Sequence, residues 1–491
     1  MSIVSEVFFY LCSQDLFTIL TYSVMVLSVI GMAVIGKHEG HSDGCSCSGC
    51  AGGEVEQRDI EPLKKRAAEL ESMSVRSIEQ SEELSDIYTE LATIAYDEGE
   101  DLETVVMLFG HAEKTLKNTL EQGDDTEIRR KLGNVYLHRA VTYNDFDELD
   151  SAVDSYNTAI ATLKPLDDAG DGEAKYDIAG IQFNRGMIYH ECGDFLKAKT
   201  DYDESFLAFR AVEKISDFDT RYFMAKVSVA QGTLFRDMDE SLDKVVDAYN
   251  RAMRLFVELI DMGQMEHERE LANVLMDRCT ATYDFCRDHE FESELEKTSK
   301  IGDVLVDVGR GIEILDRIVK AEPQFENRID LFNAIATEGA ILLDIEKFDE
   351  AIKSFDRTID EFSDFMQIDD PVILQYFATI FSNRANCLTR LDKLDDALKD
   401  MDECAMIADK IQNTDYGLSD DEKAEFQVQF TMFYANRANI FKVMGNKEEA
   451  NKNFENGYRI LGSLKESFDE DLGDIIEVYD DLKKEIDELP D

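Results

Sequence analysis

Asn184-Arg185-Gly186, followed by Gly193-Asp194-Phe195 and then Ala198, decides how this chain folds, because the stretch comes back. Asn383-Arg384-Ala385 is followed by Lys393-Leu394 and Ala397, and Asn436-Arg437-Ala438 by Asn446 and Ala450. Glu338-Gly339 with Lys347-Phe348 and Ala351 is a further copy. Counted on the small residue, copies lie 46 residues apart from 140 to 186, 186 to 232 and 339 to 385, and 47, 60 and 53 apart elsewhere. A chain with such a period stacks like units, none of which can bury its apolar face alone, and it works by presenting a surface.

Each copy reads as two helices and a turn. Ile181, Gly186 and Tyr189 recur at helical spacing, Gly193-Asp194 interrupts them, and Phe195, Ala198, Tyr202, Ser205 and Phe206 form the inner face of a second helix. Ala198 is small where the helices approach, and Tyr189 and Tyr202 fill the space on either side. Ala140, Tyr143, Ala152, Tyr156 and Ala159 follow the same scheme of small and aromatic residues, as do Gly186, Tyr189, Ala198, Tyr202 and Ser205. So do Ala385, Leu388, Ala397, Met401 and Cys404, then Ala438, Phe441, Ala450, Phe454 and Gly457, and Gly339, Leu342, Ala351, Phe355 and Thr358. Weaker copies centre on Thr93-Tyr96 and Gly232-Phe235, and one around Cys279 has its turn displaced.

Over residues 80 to 460 this pattern resembles the tetratricopeptide repeat family. The resemblance implies an all-α fold, a right-handed α-solenoid of about eight helix-turn-helix units, over residues 59–463. The family's own unit is about 34 residues, so the longer period predicts longer helices and wider loops between units, as at Lys164 to Gly172. Pro371 after Asp369-Asp370 suits a helix entry, and Pro165 and Pro323 suit helix exits. Residues 464–491, rich in Asp, Glu and Lys, read as an acidic capping helix.

Composition narrows the partners. With 105 acidic against 51 basic residues and a net charge of -54, the chain repels phosphate backbones, so nucleic acid is excluded as a ligand. Basic or amphipathic segments of other proteins are favoured instead. No helix carries a His-Glu-x-x-His pair and no Ser or Cys sits in a nucleophile motif, so the chain is read as a non-catalytic scaffold. Cys192, Cys279, Cys286, Cys387 and Cys404 fall within helical patterns and read as small apolar residues in a reducing compartment.

Residues 1–36 are different. Leu16 to Ile35 is an uncharged stretch of 20 residues, long enough as a helix to cross a bilayer, and it is expected to act as a membrane anchor. Glu6 and Asp15 precede it, while Lys37, Lys64, Lys65 and Arg66 follow. That bias predicts a single-pass cell-membrane protein with cytoplasmic repeats. Translation from Met25 or Met32 would instead leave a cytoplasmic chain. A Gly-rich linker, 37–58, carries His38, His41, Cys45, Cys47 and Cys50, a set able to hold zinc or copper; this makes a metal-binding protein the alternative function.

In tetratricopeptide proteins the first helix of each unit lines a groove for a peptide. The resemblance places Asn184, Asn383 and Asn436 where some members bond a peptide backbone, with Asn386 and Asn439 three residues on. Arg390 and Lys442 follow a turn later, where a cation suits a carboxylate. Ser382 and Ala435 stand where a carboxylate clamp carries lysine, so the match is partial, and the asparagines suit bonds inside the stack equally well. Arg139, Arg185, Arg278, Arg384 and Arg437 directly precede the small anchors and predict a repeated ion pair with an acid of the next helix.

Overall fold

The computed structural model describes residues 60–490 apart from 124, 213–216, 290, 292 and 468–471. The described residues form helices and connections, with no strand among them. They divide into two compact units, 60–293 and 294–490.

The first unit holds α1 (Glu61–Glu71), α2 (Ile78–Asp97), α3 (Leu102–Leu120), α4 (Thr126–Asp145) and α5 (Leu149–Asp168). It continues with α6 (Gly172–Glu191), α7 (Phe195–Val212), α8 (Asp217–Asp237), α9 (Leu242–Asp261) and α10 (Glu268–Asp288). Within it α2 packs on α3, α4 on α5, α6 on α7 and α8 on α9. The second unit holds α11 (Glu294–Ala321), α12 (Phe325–Asp344), α13 (Phe348–Glu361), α14 (Pro371–Arg390) and α15 (Leu394–Asn413), then α16 (Asp420–Val443), α17 (Lys447–Ser467) and α18 (Gly473–Asp487). Here α12 pairs with α13, α14 with α15, and α16 with α17, while α18 closes on α16 and α17. The Tyr479 hydroxyl donates to the Thr431 carbonyl at 2.6 Å, which seats that last helix.

Local chemistry explains where helices begin and end. Ser77 and Ser419 close capping boxes with Gln80 and Glu422, and Asp101, Asp125, Asp171 and Asp370 cap the starts of α3, α4, α6 and α14. Pro371 takes the first turn of α14, as expected. Each turn inside a pair is set by one left-handed residue seven positions after the small anchor: Gly99, Asp147, Gly193, Asp239, Glu346, Asp392 and Gly445, with φ between 54° and 75°. The next amide then reaches back across the helix end. Asp194 N–H donates to the Tyr189 carbonyl at 2.7 Å and Lys393 N–H to Leu388 at 2.8 Å, which satisfies carbonyls the helix leaves open.

That marker and the helix bounds correct two details. The anchor of the first pair is Ala92, which is fully buried, rather than Thr93. The extra residues of the long period lengthen the helices instead of widening the loops: α4, α5 and α6 have 20 residues each. Only Ala169, Gly170 and Asp171 separate α5 from α6, and Pro165 lies inside the last turn of α5. Around Cys279 the turn is displaced as expected, since seven residues on Cys286 is buried within α10.

Small anchors are small for the expected reason. A Cβ on Gly186 would lie 2.8 Å from Tyr202, and one on Gly339 would lie 2.6 Å from Phe355. Of the arginines beside the anchors, Arg185 and Arg384 meet the expected acid of the next helix, whereas Arg139 and Arg437 pair with Glu113 and Asp402 of the preceding one. Arg185 donates bidentately to Asp201 at 2.6 and 2.8 Å and to Asn157 at 2.5 Å. Arg384 repeats the arrangement with Asp400 at 2.6 and 2.9 Å and Asp356 at 2.6 Å. Each thus ties its first helix to its own partner and to the second helix of the preceding pair. Burial pushes the Asp400 carboxyl above its ordinary value against the pull of Arg384, so the carboxylate depends on that partner.

The expected N-terminal transmembrane helix is corrected. Among the described residues no helix is long and apolar enough to cross a membrane, so the structure gives no support to a single-pass membrane protein with cytoplasmic repeats. Leu16 to Ile35, on which that expectation rested, lies outside the described residues, as do His38, His41, Cys45, Cys47 and Cys50.

Candidate docking face on the first helices

On α14, Phe381, Ala385 and Leu388 share the side that packs on α15, where the Cys404 thiol also donates to the Ala378 carbonyl at 3.1 Å. At about 100° per residue, the positions three and two before the anchor and one after it turn away from that partner. These positions are Ser382, Asn383 and Asn386 on α14, and they define the face on which a ligand would lie.

The two units treat this face differently. In 60–293 it is open: His138 and Met187 are exposed, while Leu137, Val141, Asn184, Val229, Ala230, Thr233, Met276, Asp277 and Thr280 are half-buried, and only Phe183 among these is closed. In 294–490 the equivalent positions are buried: Ala336, Thr337 and Ala340 on α12, Ser382, Asn383 and Asn386 on α14, and Ala435 and Asn436 on α16, leaving Asn439 half-buried.

The sequence-derived candidates separate on this face. Asn436 donates its amide to the Ser382 hydroxyl at 3.0 Å, so it joins α16 to α14 inside the stack. Lys442 pairs with Glu485 of α18. Arg390 is exposed, with its guanidinium 6.0 Å from the Phe348 ring centre. Asn184 lies in the other unit, half-buried and within reach of the Tyr156 hydroxyl. The structure therefore brings Asn383, Asn386, Asn436 and Asn439 together, sets Arg390 and Lys442 at their edge, and leaves Asn184 apart.

Asn383 stands out. It is completely buried, and neither its amide nitrogen nor its oxygen has a hydrogen-bond partner; the Asn386 nitrogen, three residues on, also lacks one. Such groups are uncommon, since each costs about 1–3 kcal/mol. The cause is legible in the repeat. By the register that joins Asn436 to Ser382, the residue facing Asn383 from α12 is Ala336, which has no hydroxyl. Sequence reading missed Ser382, Ala336 and Ala340 as members of this face, because small residues carry no chemical signal of their own.

Residues 179–208, spanning most of α6 and α7, match the tetratricopeptide repeat family. With the paired helices, small anchors and recurring turns in place, the assignment follows. This is a tetratricopeptide-type repeat protein. No curated protein matches the repeat protein in sequence. Among solved structures it is similar to apo RapI, at 14% identity and a TM-score of 0.43 over 83% of this chain and 99% of that one. It is also similar to BtubC from P. vanneervenii, at 17% identity and a TM-score of 0.41 over 54% of this chain and 93% of that one. The apo quorum sensor NprR from B. thuringiensis is 10% identical, with a TM-score of 0.35 over 82% and 99% of the two chains. All three likenesses are weak.

Proposed function

We propose that the protein is a non-catalytic interaction scaffold that docks peptide segments of partner proteins on the first-helix face of residues 294–490. The observation that carries this is Asn383: a buried side chain with both a donor and an acceptor unmet, beside the unmet donor of Asn386. A peptide bond offers one acceptor and one donor in return, so an extended backbone satisfies such an amide whatever its side chains are. Asn439 and Arg390 at the edge of the face would contact the peptide's side chains or terminus. The net charge of -54 favours basic or amphipathic partners by long-range attraction, most strongly at low salt.

Phage-displayed random heptapeptides selected on the full-length chain test this. Selected peptides should bind, and an Asn383→Ala/Asn386→Ala chain of unchanged melting temperature should lose roughly tenfold or more in affinity. Equal binding by the two chains would remove the face from the proposal.

A further inference from the structure

We infer that the groove between the second helices α7 and α9, floored by α8, docks an acidic segment of a partner protein, one that carries neighbouring carboxylates beside leucine-type side chains. The motivating observation is a set of arginines in a chain of 105 acidic and 51 basic residues. Four of them line this groove: Arg210 on α7, Arg221 on α8, and Arg251 and Arg254 on α9. Arg221 donates to Glu258 at 3.1 Å. Arg210 and Arg254 are exposed and meet no acid among the described residues. Arg251 is half-buried, yet its partners are neutral: Nε donates to the Ser228 hydroxyl at 3.0 Å and Nη2 to the Gln231 side-chain oxygen at 2.6 Å. Its guanidinium lies 4.8 Å from the Phe206 ring centre, and its Nη1 has no partner among the described residues.

The repeat explains the surplus of positive charge. Arg139, Arg185, Arg278, Arg384 and Arg437 each precede an anchor, whereas Gln231 precedes Gly232. Gln231 and Lys199 both bond Asp203 of α7, each at 2.7 Å, so that carboxylate is already taken up where Arg251 enters the groove. Burial, reinforced by the Arg254 charge, holds the Arg251 guanidinium below its ordinary value in spite of Asp203 and Asp247. Arg185 and Arg384 are also penalised by burial, yet their aspartates hold them above it.

Register places the other two arginines. Lys199 and Asp203 of α7 meet Phe235 and Gln231 of α8, while Arg251 and Glu258 of α9 meet Ser228 and Arg221. On these antiparallel runs Arg210 and Arg254 fall on either side of Met224 and Ala225, which are buried on α8. Leu207 and Val257 stand exposed beside them. Guanidinium forks hold carboxylates through paired hydrogen bonds, and arginine at all four positions suits that geometry better than lysine. The exposed leucine and valine add contacts that a bare phosphate or sulfate would not use, which favours a peptide as the occupant.

The test uses phage-displayed hexapeptides built from Asp, Glu, Leu and Ser, selected on the full-length chain at about 0.15 M salt, where a Debye length of about 8 Å screens the chain's overall negative charge. A selected peptide, labelled with fluorescein and followed by anisotropy, should lose roughly tenfold or more in affinity for an Arg210→Glu/Arg254→Glu chain of unchanged melting temperature. Arg210→Lys/Arg254→Lys keeps the charge and removes the forks, and should lose roughly threefold or more. Full binding by the lysine chain would reject recognition by the forks. Equal binding by the charge-reversed chain, failure to select any acidic hexapeptide, or displacement of the peptide by an equal concentration of inorganic phosphate would overturn the proposal. So would a peptide whose binding falls in the Asn383→Ala/Asn386→Ala chain, since it would then belong to the face of 294–490.

Discussion

The same repeat, built twice, yields two different surfaces. In 60–293 the first helices turn His138 and Met187 toward solvent and leave Asp277 half-buried, and polar groups find partners nearby, as His190 does with Asp237 at 2.8 Å. In 294–490 the equivalent side is shut and small, and Asn383 and Asn386 keep unmet hydrogen-bonding groups. Packing beneath the two surfaces is alike: small anchor, aromatic opposite, arginine ion pair. The contrast teaches that in a repeat protein stability and recognition sit on opposite sides of one helix and vary independently.

The largest expected effect tests whether the foundations are equivalent. Arg185→Ala in one unit and Arg384→Ala in the other each strand a nearly buried carboxylate, Asp201 or Asp400. Each should cost about 3 kcal/mol, read as a shift in denaturant midpoint. A loss in only one unit would break the comparison at its base.

An intermediate effect belongs to the open unit. Asp177 on α6 stands nine residues before its anchor, where Tyr376 stands on α14. Burial pushes its carboxyl up to about 6, with Arg130 pulling the other way. Its folded value exceeds the unfolded one, so its favourable contribution is complete below about pH 4 and is lost as pH rises through 6. Asp177→Asn should therefore stabilise the protein at pH 7 by roughly 1–3 kcal/mol and flatten the stability profile between pH 4 and 7. An unchanged profile would show that this position is not strained by charge.

The smallest effect sharpens the contrast most. Ala336→Ser places a hydroxyl where Ser382 serves Asn436, and should give Asn383 a partner worth about 1 kcal/mol. The same change should weaken peptide binding, since one unmet amide is then used up. Stabilisation without loss of binding would mean that Asn383 is a packing fault and not a contact.

Much of this was legible in residues alone. The small-aromatic spacing identified the pairs, and the arginines before the anchors signalled an acid of the next helix, which Asp201 and Asp400 supply for Arg185 and Arg384, whereas Arg139 and Arg437 pair with Glu113 and Asp402 of the preceding helix. Helix length was misjudged at Lys164 to Gly172, because a Gly/Asp-rich stretch with a proline reads as loop while its backbone continues α5 to Asp168. The asparagines looked equivalent in sequence, yet Asn436 is spent on Ser382 and Asn383 is not. Nothing in Asn383 itself distinguishes them; the difference lies 47 residues away, in Ala336.

Sequence by itself determined the paired helices, their turns and their inner faces, because those depend on side-chain volume at intervals that a chain of fixed helical pitch repeats. Tertiary structure alone decided which face is open, which amide is satisfied and which arginine partners come from the preceding pair. Those outcomes depend on what an adjoining helix happens to present, and no local spacing carries that information.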